Sequence, residues 1–193
     1  EGHVKREDEL DELSHSFSEM YSKVDKLERG LITTYSDTRK LTVRKLLQGD
    51  YPDDEGFATM CEKLNIDIAS PYYLLLLICA DTESGKPLSD SNVFLSNYAM
   101  ENVAKEALLP FSAKAEFYRN TSNMLAILLP LRENKYPQGL AESLESILSV
   151  MKDEFGMETT VCIGPIAETY RNINMCYEVA KISVRSVSVS QHG

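Results

Sequence analysis

Tyr72-Tyr73-Leu74-Leu75-Leu76-Leu77-Ile78-Cys79-Ala80 is the longest apolar run in the chain, and no charge interrupts it. A helix crossing a membrane needs about 20 such residues, so this run is less than half long enough. A strand with one wet face would alternate polar and apolar residues, and this one does not. The run therefore predicts a strand over 72–79 that is covered on both faces.

Downstream of it, strand and helix signals alternate. Within Asp90–Leu109, residues Val93, Phe94, Asn97, Tyr98, Val103 and Ala107 recur at helical spacing. Ala113–Tyr118 and Met124–Leu129 read as two strands joined by a polar loop, Arg119-Asn120-Thr121-Ser122-Asn123. Tyr136–Phe155 is an amphipathic helix carrying Leu140, Leu144, Ile147, Leu148 and Met151. Thr159–Ile163 reads as a strand and Tyr170–Val184 as a closing helix. The order β-α-β-β-α-β-α is most economically an α+β fold. It would be a split βαβ repeat of ferredoxin-like type, with an antiparallel-containing sheet and flanking helices.

Upstream, Leu10, Leu13, Phe17, Met20, Val24, Leu27 and Leu31 are separated by alternating steps of three and four. Two apolar positions per heptad make a narrow seam, the pattern of a coiled coil rather than of a helix lying on a globular core. Beyond Leu31 the strict register puts Thr34, Thr38 and Lys45 in the seam, so the coiled coil is expected to fade near Gly30. A second helical stretch follows with Ile32, Tyr35, Val43, Leu46 and Leu47, ending at Gly49. Pro52-Asp53-Asp54 opens a short helix bearing Phe57, Met60, Cys61 and Leu64. The chain accordingly divides into linker helices, 1–49, and an α/β domain, 50–193.

Net charge of −10 and a pI near 4.8 argue against a nucleic-acid surface, since an acidic protein repels phosphates. Arg39-Lys40 and Arg44-Lys45 form a short basic stretch, read as a solvated helix face. Cys61, Cys79, Cys162 and Cys176 form no CxxC pair and are expected to be free, packed thiols, as suits a cytosolic compartment. No apolar stretch follows the N-terminal charges as a secretory signal requires.

Two stretches resemble known families. Asp8-Glu9-Leu10, with Leu13, Phe17 and Met20, resembles the start of the second helix of HAMP linkers, with Ser18 where Asn is usual and without the first HAMP helix. Residues 70–185 resemble a degenerate GGDEF-type nucleotide cyclase domain. Anchored on Ala126-Ile127-Leu128-Leu129, the signature Gly-Gly-(Asp/Glu)-Glu-Phe falls on Thr121-Ser122-Asn123-Met124-Leu125. The resemblance implies that glycines letting backbone approach a nucleotide, and acids for metal and catalysis, are replaced by residues that do neither. The family's metal-binding Asp at the end of the first strand corresponds to Asp81, a vestigial position, since a lone acid there is more simply a solvated loop residue. Tyr177-Glu178-Val179-Ala180-Lys181, after Ile163-Gly164, is similar to the closing helix of degenerate GGDEF-like domains. Such domains lie between a HAMP linker and the DNA-binding part of membrane-anchored AraC-type bacterial transcription regulators.

That resemblance implies a non-catalytic domain for signal transmission and dimerisation, on the cytoplasmic side of the membrane in its parent. It implies pairing through Leu10, Leu13, Phe17, Met20, Val24, Leu27 and Leu31, no metal or cofactor, and no nucleic acid bound by this region itself. The alternatives are a surviving diguanylate-cyclase-like enzyme, or a sensory module holding an unknown small molecule near Asp81, Asn92 and residues 119–123. His15 follows Ser14 as in phosphoacceptor helices, but Ser16-Phe17 departs from that motif and His15 reads as an exposed position. No GxxxxGK, HExxH, GxSxG or GxGxxG occurs, and Ser84-Gly85-Lys86 reads as a loop turn.

Overall fold

The computed structural model describes residues 2–51, 54–80, 90–121 and 123–190. The chain forms two compact units, Glu1–Lys40 and Leu41–Gly193. Among the described residues no helix is long and apolar enough to cross a membrane.

The first unit is helix alone. α1 runs unbroken from Gly2 to Gln48, where the spacing predicts two helical stretches parting near Gly30. One interior glycine costs a helix only about 1 kcal/mol. The hydroxyls of Thr33, Thr34 and Thr38 donate to the carbonyls four residues back at 2.9, 2.9 and 2.7 Å, so these polar side chains find partners within the helix. α1 ends as expected at Gly49, whose φ of +69° reverses the chain. A Cβ there would also lie 2.7 Å from the Asn174 amide nitrogen, so two separate demands select glycine.

The second unit is built on β1, Tyr72–Ala80. Asp67 prepares its start by accepting the amides of Ala69 and Ser70 at 3.1 and 3.0 Å, a local turn that aims the chain into the sheet. The sheet order is β2 (Glu116–Thr121), β3 (Met124–Leu131), β1, β4 (Thr159–Ala167), and every pairing is antiparallel. With helices interleaved, this is a mixed helix and sheet, α+β architecture, as the order of signals predicts.

Side chains of β1 alternate between two cores. Leu74, Leu76 and Ile78 meet Leu125, Ile127 and Leu129 of β3 beneath α3 (Asp90–Leu108) and α4 (Leu140–Phe155). Tyr73, Leu75 and Leu77 meet Ala126 and Leu128 on the other face, under α5 (Ile173–Ser190) and α2 (Asp54–Lys63). Val43, Leu46 and Leu47, from the end of α1, close this second core. Tyr51 stacks on Phe57 with centroids 4.5 Å apart, and Tyr170 lies 6.0 Å from Tyr51, fixing the turn between α1 and α2. Each Leu or Ile taken fully out of water contributes about 1.5–3 kcal/mol, so this double coverage dominates the stability of the domain.

Several boundaries differ from the sequence expectation. β2 begins at Glu116 and reaches Thr121, with a register shift between Arg119 and Thr121, so the expected five-residue loop is largely strand. β4 continues past Ile163 to Ala167 because a bulge lets it. Gly164 and Pro165 together oppose Leu75, between the pairs Leu76↔Ile163 and Leu74↔Ile166. A Cβ on Gly164 would come within 3.0 Å of the Leu75 carbonyl oxygen. α4 starts at Leu140 rather than Tyr136, since the residue before Pro137 is pushed out of helical conformation. A 3-10 turn, Tyr170–Asn172, precedes α5.

The end of α1 belongs to the domain core, so Leu46→Ala should destabilise as much as Leu76→Ala in β1. Each should cost about 2–5 kcal/mol in urea unfolding. A Leu46→Ala cost below about 0.5 kcal/mol, typical of surface changes, would detach α1 from the core.

Candidate functional site

The two places singled out by the sequence are the β2–β3 hairpin and the apolar face of α1. At the hairpin, Thr121 pairs with Met124, and Met124 pairs with Cys79 near the end of β1. The Ala80 amide donates to the Asn123 carbonyl at 2.8 Å, tying the turn to the strand end. Met124 is half-buried against the α5-side core, and Leu125 is wholly buried in the α3–α4 core. Two of the five residues that the resemblance aligns with the signature are thus committed to packing. Asp81 and Ser122 lie outside the described residues, as do the side chains of Thr121 and Asn92. Among the described residues no group of three or more His, Cys, Asp or Glu side chains is placed to hold a metal.

Polar contacts near the hairpin bind β2 to α3. Arg119 reaches Glu101 at 3.6 Å, Glu101 also accepts Lys105 at 2.6 Å, and the Lys105 ammonium lies 5.5 Å from the Phe117 ring centre. Burial pulls the Arg119 guanidinium below the usual arginine range, and Glu101 opposes that shift. These contacts hold an edge strand in place with groups already engaged.

All four cysteines are free thiols. Burial, with the Glu116 carboxylate adding, pushes Cys61 up to about 11. Burial and the neighbouring Cys162 push Cys79 up to about 11, and burial raises Cys162 and Cys176. A thiol held above the ordinary range is protonated at neutral pH and a poor nucleophile. Tyr177, buried and facing Tyr118, is likewise pushed up to about 12.

On α1 the side chains of Leu10, Leu13 and Phe17 lie outside the described residues, while their backbone is helical. The rest of the seam is open: Met20, Val24, Leu27 and Leu31 are 52%, 49%, 67% and 70% exposed. Apolar groups aligned in this way give the helix a continuous stripe open to water.

The sequence gives no hint of a cleft of about 670 Å³ at the opposite end of β1 from the hairpin. Ser70, Leu109, Lys114, Leu131, Arg132 and Lys135 are among its walls, with Lys114 paired to Asp67 at 3.4 Å. Its lining comes from three separate connections, so no local motif could announce it. The chain matches no family model, and no curated protein matches it.

The thiols set an alkaline limit on stability. The folded domain holds the Cys61 and Cys79 protons up to about 11, whereas an unfolded thiol releases its proton near 9.0. Their contribution is therefore complete below about 9 and declines as pH rises towards about 11. Urea midpoints should fall across that interval, and Cys61→Ser and Cys79→Ser together should flatten the fall. A midpoint constant from pH 9 to 11 would contradict this assignment.

Proposed function

We propose that this chain transmits a signal without catalysing a reaction, pairing with a second copy through α1 inside a bacterial transcription regulator. The parent would be membrane-anchored and of AraC type, with its DNA-binding part elsewhere in the protein. The observation that carries this reading is a division of labour on α1. Met20, Val24, Leu27 and Leu31 form a narrow open stripe, while Val43, Leu46 and Leu47 of the same helix are core residues of the α/β domain. A change in how two such helices pair is then delivered directly into the domain.

The succession β1-α3-β2-β3-α4-β4 and its strand order support a ferredoxin-like arrangement of the GGDEF-like kind. Half-burial of Met124, aligned with the second acid of the signature, supports loss of nucleotide chemistry, because a side chain packed against a core cannot also hold a metal. The acidic composition supports a domain that does not itself bind DNA.

Sedimentation at several concentrations should show weak self-association, in roughly the micromolar range, since several buried seam pairs must offset the cost of association. Removing residues 1–30, or combining Leu13→Glu with Met20→Glu, should abolish it. A chain that stays monomeric at high concentration would sink the pairing.

Incubation with GTP or ATP and Mg²⁺ or Mn²⁺ should yield no cyclic product. Steady turnover lost on Asp81→Asn would instead favour a nucleotide cyclase.

A further inference from the structure

We propose that the paired seam continues past Gly30 to Leu41, as a parallel two-helix coil with the α/β domain held by helix positions facing away from it. The inference rests on the reading that α1 pairs with a second copy, and it fixes the extent and direction of that pairing. Taking Leu10 as heptad position a, the apolar steps place Leu31 and Thr38 at a, and Leu27, Thr34 and Leu41 at d. α1 is continuous through all of them, so the register carries on without a break.

Leu41 is 50% exposed although Thr42 and Val43 beside it are buried. On the same count, the residues that enter the domain core are Val43 at f, Leu46 at b and Leu47 at c, and Thr42 at e is buried with them. Positions b, c and f are those that a coiled coil turns away from its partner. The domain therefore grips the helix from behind and along its e flank at Thr42, and leaves Leu41 itself half exposed for a second copy.

Thr34 and Thr38 interrupt the apolar row, which is why the row looks as if it ends at Leu31. Their hydroxyls already donate to the carbonyls of Gly30 and Thr34, at 2.9 and 2.7 Å. A hydroxyl satisfied within its own helix loses little when buried, so these layers weaken the seam without breaking it. Lys45 takes the next a position, and two facing ammonium groups end the pairing there.

Direction follows from the flanking g and e positions, which meet across a parallel pair five residues apart. Lys23 at g then faces Glu28 at e of the second copy, an attractive match that occurs twice by symmetry. Gly30 at g faces Tyr35 at e of the second copy, where the missing side chain leaves room for the ring. An antiparallel pair sets g against g and e against e, and both matches are lost.

Oxidative cross-linking of single cysteine substitutions in the full chain tests this, with the unsubstituted chain and its four thiols as background. Leu27→Cys and Leu41→Cys should both give disulfide-linked dimers, while the equally exposed off-seam Ile32→Cys should not. Linking at Leu27→Cys alone would overturn the extension and leave pairing through α1 intact; linking at neither would remove both. Equal linking at Ile32→Cys would mean random collision and would also overturn it.

For direction, Lys23→Glu should weaken self-association roughly threefold to tenfold at low salt, and adding Glu28→Lys should restore it. Failure of the double reversal to restore it would overturn the parallel arrangement.

Discussion

A strand that is apolar on both sides cannot remain half wet. Leu74, Leu76 and Ile78 point one way and Tyr73, Leu75 and Leu77 the other, and all are essentially inaccessible to solvent. Satisfying β1 demands a layer of helices above the sheet and another below it. α3 and α4 supply one layer. The other is assembled from α5, α2 and the last turns of α1, so the long helix is drawn into the domain by the same demand. β2 and β4, as edge strands, need less coverage and carry the polar and irregular features.

How much of this was legible depended on where the information lies. The span of β1, the helix over Asp90–Leu108 and the stop at Gly49 follow from periodicity and single-residue geometry, which a sequence displays directly. The bulge at Gly164-Pro165 was not legible, because the need for glycine arises from the Leu75 carbonyl, a neighbour distant in sequence. Continuity of α1 was hidden for a related reason. Thr34 and Thr38 look polar in a list of residues, yet their hydroxyls are satisfied by the helix that carries them. The division of the chain also follows packing: helical spacing groups Val43, Leu46 and Leu47 with the preceding helix, while burial groups them with the sheet.

The hairpin illustrates how polar residues that look available in a sequence are committed to structure. Arg119 is held by Glu101, Asn123 closes on Ala80, and Met124 and Leu125 fill opposite cores. Its polar residues could be read from the sequence, but their engagement with α3 and β1 could not. The cleft bounded by Lys114 and Arg132 was invisible for the opposite reason, being made by connections rather than by a motif.

The bulge in β4 also bears on what the protein avoids. An open antiparallel sheet offers its border as a template on which other chains can add strands, the usual opening step of aggregation. At this border Pro165 has no amide hydrogen to donate, and the doubled residues opposite Leu75 interrupt a straight ladder. A border broken in this way resists growth by stacking.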